Sequence, residues 1–117
     1  MSFCLVRFLR RQIAFSIKTW GPPDKFGIPF NGRATVGHIR KELEEVLRKP
    51  HDLEEWIDIV LLALDGAMRA GHTPNQVVAG LEGKFEKNTK RKWPDWRKCP
   101  PDKGIEHDRT FDAAASA

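Results

Sequence analysis

The chain has 117 residues and a mass of 13.4 kDa, the commonest size for a single domain, so one core is expected. With 40% hydrophobic residues, 31% charged residues and a mean hydropathy of -0.50, the composition is that of a folded globular protein and not of a disordered one. No apolar run nears the roughly 18 to 20 residues that span a bilayer, and the two cysteines, Cys4 and Cys99, stand far apart without CxxC spacing, which excludes a disulfide scaffold or a thiolate zinc site.

In chain order, the spacing of Val6, Leu9, Ile13 and Ile17 predicts a first helix over roughly Phe3 to Lys18. Its N-terminal stretch is basic and acid-free, but it runs into the body of the domain without a cleavage-like site, so it reads as part of the fold and not as a targeting peptide. A cytoplasmic protein without a membrane anchor is expected. Gly21, Pro22, Pro23, Gly27, Pro29, Asn31 and Gly32 then mark a long loop, a kind of segment that often covers a functional site. Thr35 is the expected cap of a second helix that carries Val36, Ile39, Leu43, Val46 and Leu47 on one stripe and stops before Pro50. Asp52 caps a third, with Glu55 at the capping-box position, and that helix runs to Ala70, where Gly71 closes it. Thr73, Pro74 and Gln76 form a strong start signal for a fourth helix ending before Pro94. The rest reads as loop, with 108–117 as a frayed tail. An all-α bundle with a central antiparallel hairpin is the predicted architecture.

The third helix is apolar nearly all round from Trp56 to Leu64, so it is expected at the centre of the bundle. Asp58 and Asp65 interrupt that run. A desolvated carboxylate needs a cation, strong donors, a proton or water, so Asp58 is read as functional, whereas Asp65 has a ready partner in Arg69 four residues on. Glu55 lies on nearly the same face as Asp58. The preceding helix offers Glu42 and Glu45, three residues apart, and a short turn at Pro50 favours an antiparallel hairpin. Residues equidistant from the turn then lie at similar heights, so Glu45 faces Glu55 and Glu42 faces Asp58. Four converging hard-oxygen ligands suit Mg2+, with Mn2+ as a substitute. Each glutamate also has a plainer role: Glu55 as capping partner, Glu45 paired with Lys49 or Lys41, and Glu44 with Arg48. The fourth helix adds Lys84, Asn88 and Arg91 at spacings of four and three, cations and an amide suited to phosphate oxygens or to a solvated face.

The Glu42-x-x-Glu45 and Glu55-x-x-Asp58 pairs, together with HIRKELEEV at 38–46, DLEEWIDIVLLALDGAMRAGHTPNQVV at 52–78 and KFEKNTKRKWPDW at 84–96, resemble the MazG-like all-α nucleoside triphosphate pyrophosphohydrolases, in particular the phage-type dATP/dGTP diphosphohydrolase branch. FSIKTWGP at 15–22 and KGIEH at 103–107 extend the resemblance to roughly 12–107. It implies a helical bundle that binds magnesium and cleaves a purine deoxynucleoside triphosphate between the α and β phosphates, giving the monophosphate and pyrophosphate. It further implies Glu42, Glu45, Glu55 and Asp58 as metal-binding catalytic residues, and Lys84, Asn88 and Arg91 as substrate contacts. The interval between Glu45 and Glu55 is shorter than in much of the wider superfamily.

Two other classes compete. A nucleic-acid-binding module would use the basic segment from Lys84 to Lys98 with Trp93 and Trp96, although the acidic hairpin weighs against it. A catalytically silent interaction protein would use the same bundle. The tryptophans are expected mainly in the core, and His38, His51, His72 and His107 lack zinc-ligand spacing and read as surface or capping residues. A small helical chain with this much apolar surface is expected to form a homodimer or tetramer.

Overall fold

A computed structural model describes residues 2–109. It contains α1 (Leu5–Trp20), α2 (Arg33–Arg48), α3 (Leu53–Arg69), α4 (Pro74–Lys90) and a short 3-10 turn (Trp96–Lys98). Among the described residues there is no strand, only an isolated bridge between Lys25 and Ile28. The architecture is all-α, as the periodicity predicts. The expected frayed tail lies, from residue 110 onward, outside the described residues.

Two compact units divide the chain, the first ending at Ala79 and the second beginning at Gly80. In the first, α3 packs along α2 and also touches α1. Leu9, Met68 and Val77 form its small core, flanked by half-buried residues such as Leu5, Phe8 and Leu64. In the second, the Trp93 indole donates to the Asn88 carbonyl at 2.8 Å and meets His107 edge-on, while the Arg97 guanidinium stacks over Trp96.

The helix ends follow local chemistry with two departures. α1 stops at Gly21, whose φ of 90° suits glycine and whose N–H donates to the Ile17 carbonyl at 2.9 Å. α2 is capped three residues before the expected Thr35. Gly32, at φ 79°, occupies the cap position and the Asn31 carboxamide oxygen accepts from the Arg33 N–H at 3.0 Å. α4 opens on a complete capping box: the Thr73 N–H donates to Gln76 Oε1 at 2.8 Å and the Gln76 N–H donates to Thr73 Oγ1 at 3.2 Å.

At α3 the cap forms but the box does not. Asp52 Oδ1 accepts from the Glu54 N–H at 3.0 Å; Glu55 leaves its side chain free for another use. The α2–α3 hairpin closes tightly further along, where a Cβ at Gly66 would lie 3.1 Å from the Thr35 methyl. Thr35, Glu42, Asp58 and Gly66 thus occupy matched heights on either side of the Pro50 turn.

One expectation needs correction. Helix α3 is not enclosed on all sides: Leu53, Trp56, Ile57 and Val60, at i, i+3, i+4 and i+7, are each more than 40% exposed. All four tryptophans are exposed as well. An all-apolar helix signals burial, but two flanking helices cover only part of its circumference.

Candidate functional site

Glu42 on α2 and Glu55 and Asp58 on α3 each present a carboxylate oxygen, and the three oxygens lie within 4.8 Å of one another. Glu55 and Asp58 are neighbours because residues three apart share a helix face, and Glu42 meets them through the antiparallel pairing of the hairpin. Glu42 and Glu55 are half-buried. Asp58 is exposed, contrary to the expectation of an ionised group among apolar side chains, because this side of α3 is open.

Like charges at such separations repel. The Glu55 carboxyl is accordingly held above its ordinary value of 4.5, first by partial desolvation and then by the charges of Asp52, Glu45 and Asp58, with Lys49 opposing. A hard divalent cation offsets that repulsion. Two ligands on one Mg2+ lie at most about 4.2 Å apart given bonds of about 2.1 Å, so side-chain torsions alone could close the group around an ion. The donor set of three carboxylates fits a metal ion of this class.

Glu45 stands beside the cluster, where its charge acts on Glu55. Its Oε1 is taken by Arg48 Nη1 at 2.6 Å, a different partner from the lysines anticipated. On the other side, His38 Nε2 lies 3.5 Å from Glu42 Oε1, one helical turn away. His38 was readable only as a surface residue, though its i, i+4 relation to Glu42 was the available signal.

Asp65 pairs with Arg69, whose Nε donates to Asp65 Oδ2 at 2.9 Å, and Arg69 is itself buried. The proposed phosphate contacts lie on the second unit. There Lys84 is exposed, while Arg91 Nη1 donates to the Asn88 carboxamide oxygen at 2.9 Å. These two residues are thus presented as a joined pair.

Among the described residues, no helix is long and apolar enough to cross a membrane. In comparisons with known proteins, the family model for dATP/dGTP pyrophosphohydrolase matches residues 14–111. No curated protein and no solved structure matches.

Proposed function

Because the chain belongs to the dATP/dGTP pyrophosphohydrolase family, with the all-α fold of MazG-like nucleoside triphosphate pyrophosphatases, we propose that it hydrolyses purine deoxynucleoside triphosphates between the α and β phosphates. One water is consumed and the products are a deoxynucleoside monophosphate and pyrophosphate. The observation that carries the reading is the cluster of Glu42, Glu55 and Asp58, whose carboxylate oxygens lie within 4.8 Å of one another, an arrangement of hard oxygen donors that suits a divalent cation. The family match runs through both units, which supports one functional domain.

In this reading Glu42, Glu55 and Asp58 hold Mg2+, or Mn2+ in its place, and Glu45 joins them as a fourth ligand once released from Arg48. The bound ion supplies charge neutralisation on the phosphate oxygens and activation of water. The chain's own residues do the positioning. His38, against Glu42, orients that carboxylate as outer partners of metal ligands commonly do. Lys84, Asn88 and Arg91 hold the phosphates, where a guanidinium and an ammonium stabilise the negative charge that accumulates on departing pyrophosphate.

The exposed stripe of Leu53, Trp56, Ile57 and Val60 supports a homo-oligomer in which a second copy covers α3.

The deciding experiment incubates the full chain with each of the four deoxynucleoside triphosphates and Mg2+ and identifies the products. Monophosphate plus pyrophosphate from dATP or dGTP is expected; diphosphate plus inorganic phosphate would overturn the assigned bond, and no turnover of any substrate would overturn the enzyme. Asp58→Asn is expected to abolish activity. A nucleic-acid-binding role would instead appear as steeply salt-dependent oligonucleotide binding without turnover.

A further inference from the structure

Helix α1 differs from the other three in its charge. No Asp or Glu occurs before Asp24, yet the helix carries Arg7, Arg10, Arg11 and Lys18, all four exposed. On the other helices Arg48, Arg69 and Lys90 each hold a carboxylate one turn away, on Glu45, Asp65 and Glu86. Within α1 such pairing is impossible. Among the described residues, no carboxylate of another element lies within ion-pair distance of these four cations either.

The four share one side of the helix. At about 100° per residue, Arg7, Arg11 and Lys18 fall within about 40° of one another and Arg10 stands about 60° from Arg7, while the buried Leu9 and Ser16 face the opposite way. Ser16 is tied to Arg69 of α3. The basic side therefore points away from α3 and from the carboxylates that α3 carries. From Arg7 to Lys18 it runs along about 16 Å of helix, and three of its four cations are guanidinium groups, which grip phosphate oxygens in pairs. At its N-terminal end Phe3 is 73% exposed and lines a hollow of about 290 Å³ together with Arg7 and Arg11. An aromatic face beside cations is the combination that holds single strands, with bases stacked on the ring and phosphates on the charges. The family match begins at residue 14, so Phe3, Arg7, Arg10 and Arg11 lie ahead of the segment shared with the pyrophosphohydrolases.

We propose that the outer side of α1 binds single-stranded nucleic acid, the four cations meeting its phosphates and Phe3 stacking on a base. The site is separate from the carboxylate cluster and does not depend on hydrolysis. A lipid surface is the poorer partner. A membrane helix sinks its apolar face into the bilayer, and on α1 that face places Leu9 in the core with Met68 and Val77. Duplex is disfavoured as well, because its bases are stacked on one another and offer Phe3 no free face.

The test follows the anisotropy of a fluorescein-labelled oligothymidylate of about 20 nucleotides, longer than one such site, as the full chain is added in EDTA. Four phosphate contacts predict a slope of about −2.8 for log K against log salt, a loss of affinity of about fiftyfold between about 50 and 200 mM. Arg7→Gln with Arg11→Gln should halve the slope, leaving a loss of about sevenfold over the same range. Arg7→Lys with Arg11→Lys keeps the charge and should keep the wild-type slope. Phe3→Ala should weaken binding about fivefold or more at every salt concentration without changing the slope. As a control, Lys87→Gln with Lys98→Gln removes the same charge from the second unit and should leave the slope as in the wild type. If that pair flattens the slope and Arg7→Gln with Arg11→Gln does not, the assignment to α1 is overturned. No binding at about 50 mM salt overturns it too, as does uptake by phosphatidylserine vesicles in place of the oligonucleotide. Pyrophosphate release from dGTP is a separate measurement, whose absence would remove the hydrolase and leave the nucleic-acid site standing.

Discussion

Arg69 crosses from α3 to α1, where its Nη2 donates to the Ser16 hydroxyl oxygen at 2.7 Å and to the Ser16 carbonyl at 3.2 Å. Both residues are buried, and the same guanidinium holds Asp65. A charge taken out of water is tolerable only with its hydrogen bonds complete, so the three residues stand or fall together. Ser16→Ala, which removes one charge-assisted bond, is expected to cost about 1.5 to 3 kcal/mol. Arg69→Met keeps most of the stem but leaves Asp65 without its cation and should cost about 3 to 5 kcal/mol. Urea denaturation monitored by tryptophan fluorescence measures both, and a loss below that of Ser16→Ala in Arg69→Met would contradict the anchoring role.

Glu55 makes the stability of the metal-free chain depend on pH with a definite sign. Its carboxyl is raised above 4.5 by partial desolvation and by its acidic neighbours, so the folded state holds the proton more tightly than the unfolded state does. The stabilisation this provides is fully present below about pH 4.5 and is lost as the pH rises through the elevated folded value. With EDTA present, wild type and Glu55→Gln should therefore have similar urea midpoints in acid, and the variant should become the more stable of the two toward neutrality. Adding Mn2+ at neutral pH should reverse the order, because only the wild type keeps the full set of carboxylates. Midpoints that differ equally at every pH would show that the cluster does not strain Glu55.

What could be read from the sequence was what the chain settles locally. The Thr73 and Gln76 capping box needs only four consecutive residues, and the meeting of Glu42 with Asp58 needs only a short turn at Pro50 and helical periodicity. Asp58 was misjudged for a physical reason. A helix apolar all round must be covered, but the sequence does not say whether its own chain or a second copy does the covering. Helix α1 begins and ends two residues later than the periodicity indicated, and α2 starts earlier than Thr35 because Gly32 supplies the left-handed turn. The ties between α1 and α3 were invisible for another reason: Gln12 and Ser16 find their partners 49 and 53 residues away, beyond the reach of any local pattern. The loop 21–32 was legible as a loop from its glycines and prolines.

The capping box at the start of α4 offers a clean measure of a local signal. Thr73→Ala removes the hydroxyl that accepts from the Gln76 N–H, and should destabilise the chain by about 1 kcal/mol, whereas Thr73→Ser should be close to neutral. Because the box is exposed and distant in sequence from the carboxylates, pyrophosphate release at saturating substrate should be unchanged in Thr73→Ser. A denaturation midpoint for Thr73→Ala equal to wild type would mean that the start of α4 is held by the packing of Val77 and Val78 and not by its cap.

Val60 tests how α3 is covered. It is 48% exposed, and with Leu53, Trp56 and Ile57 it forms an apolar stripe on the helix that also carries Glu55 and Asp58. A helix face of this kind is costly in water, and each large side chain removed from solvent contributes about 1.5 to 3 kcal/mol. If a second copy covers the stripe, Val60→Asp places a charge in the interface and should shift the chain to monomer in light scattering coupled to size exclusion. The same variant leaves the carboxylates in place, so Mn2+ uptake by calorimetry reports whether the site needs its neighbour: retained uptake by the monomer would mark the cluster as complete within one chain. A wild type that is itself monomeric at tens of micromolar would refute the proposed assembly, and the stripe would then have to be covered by a different partner or left to water.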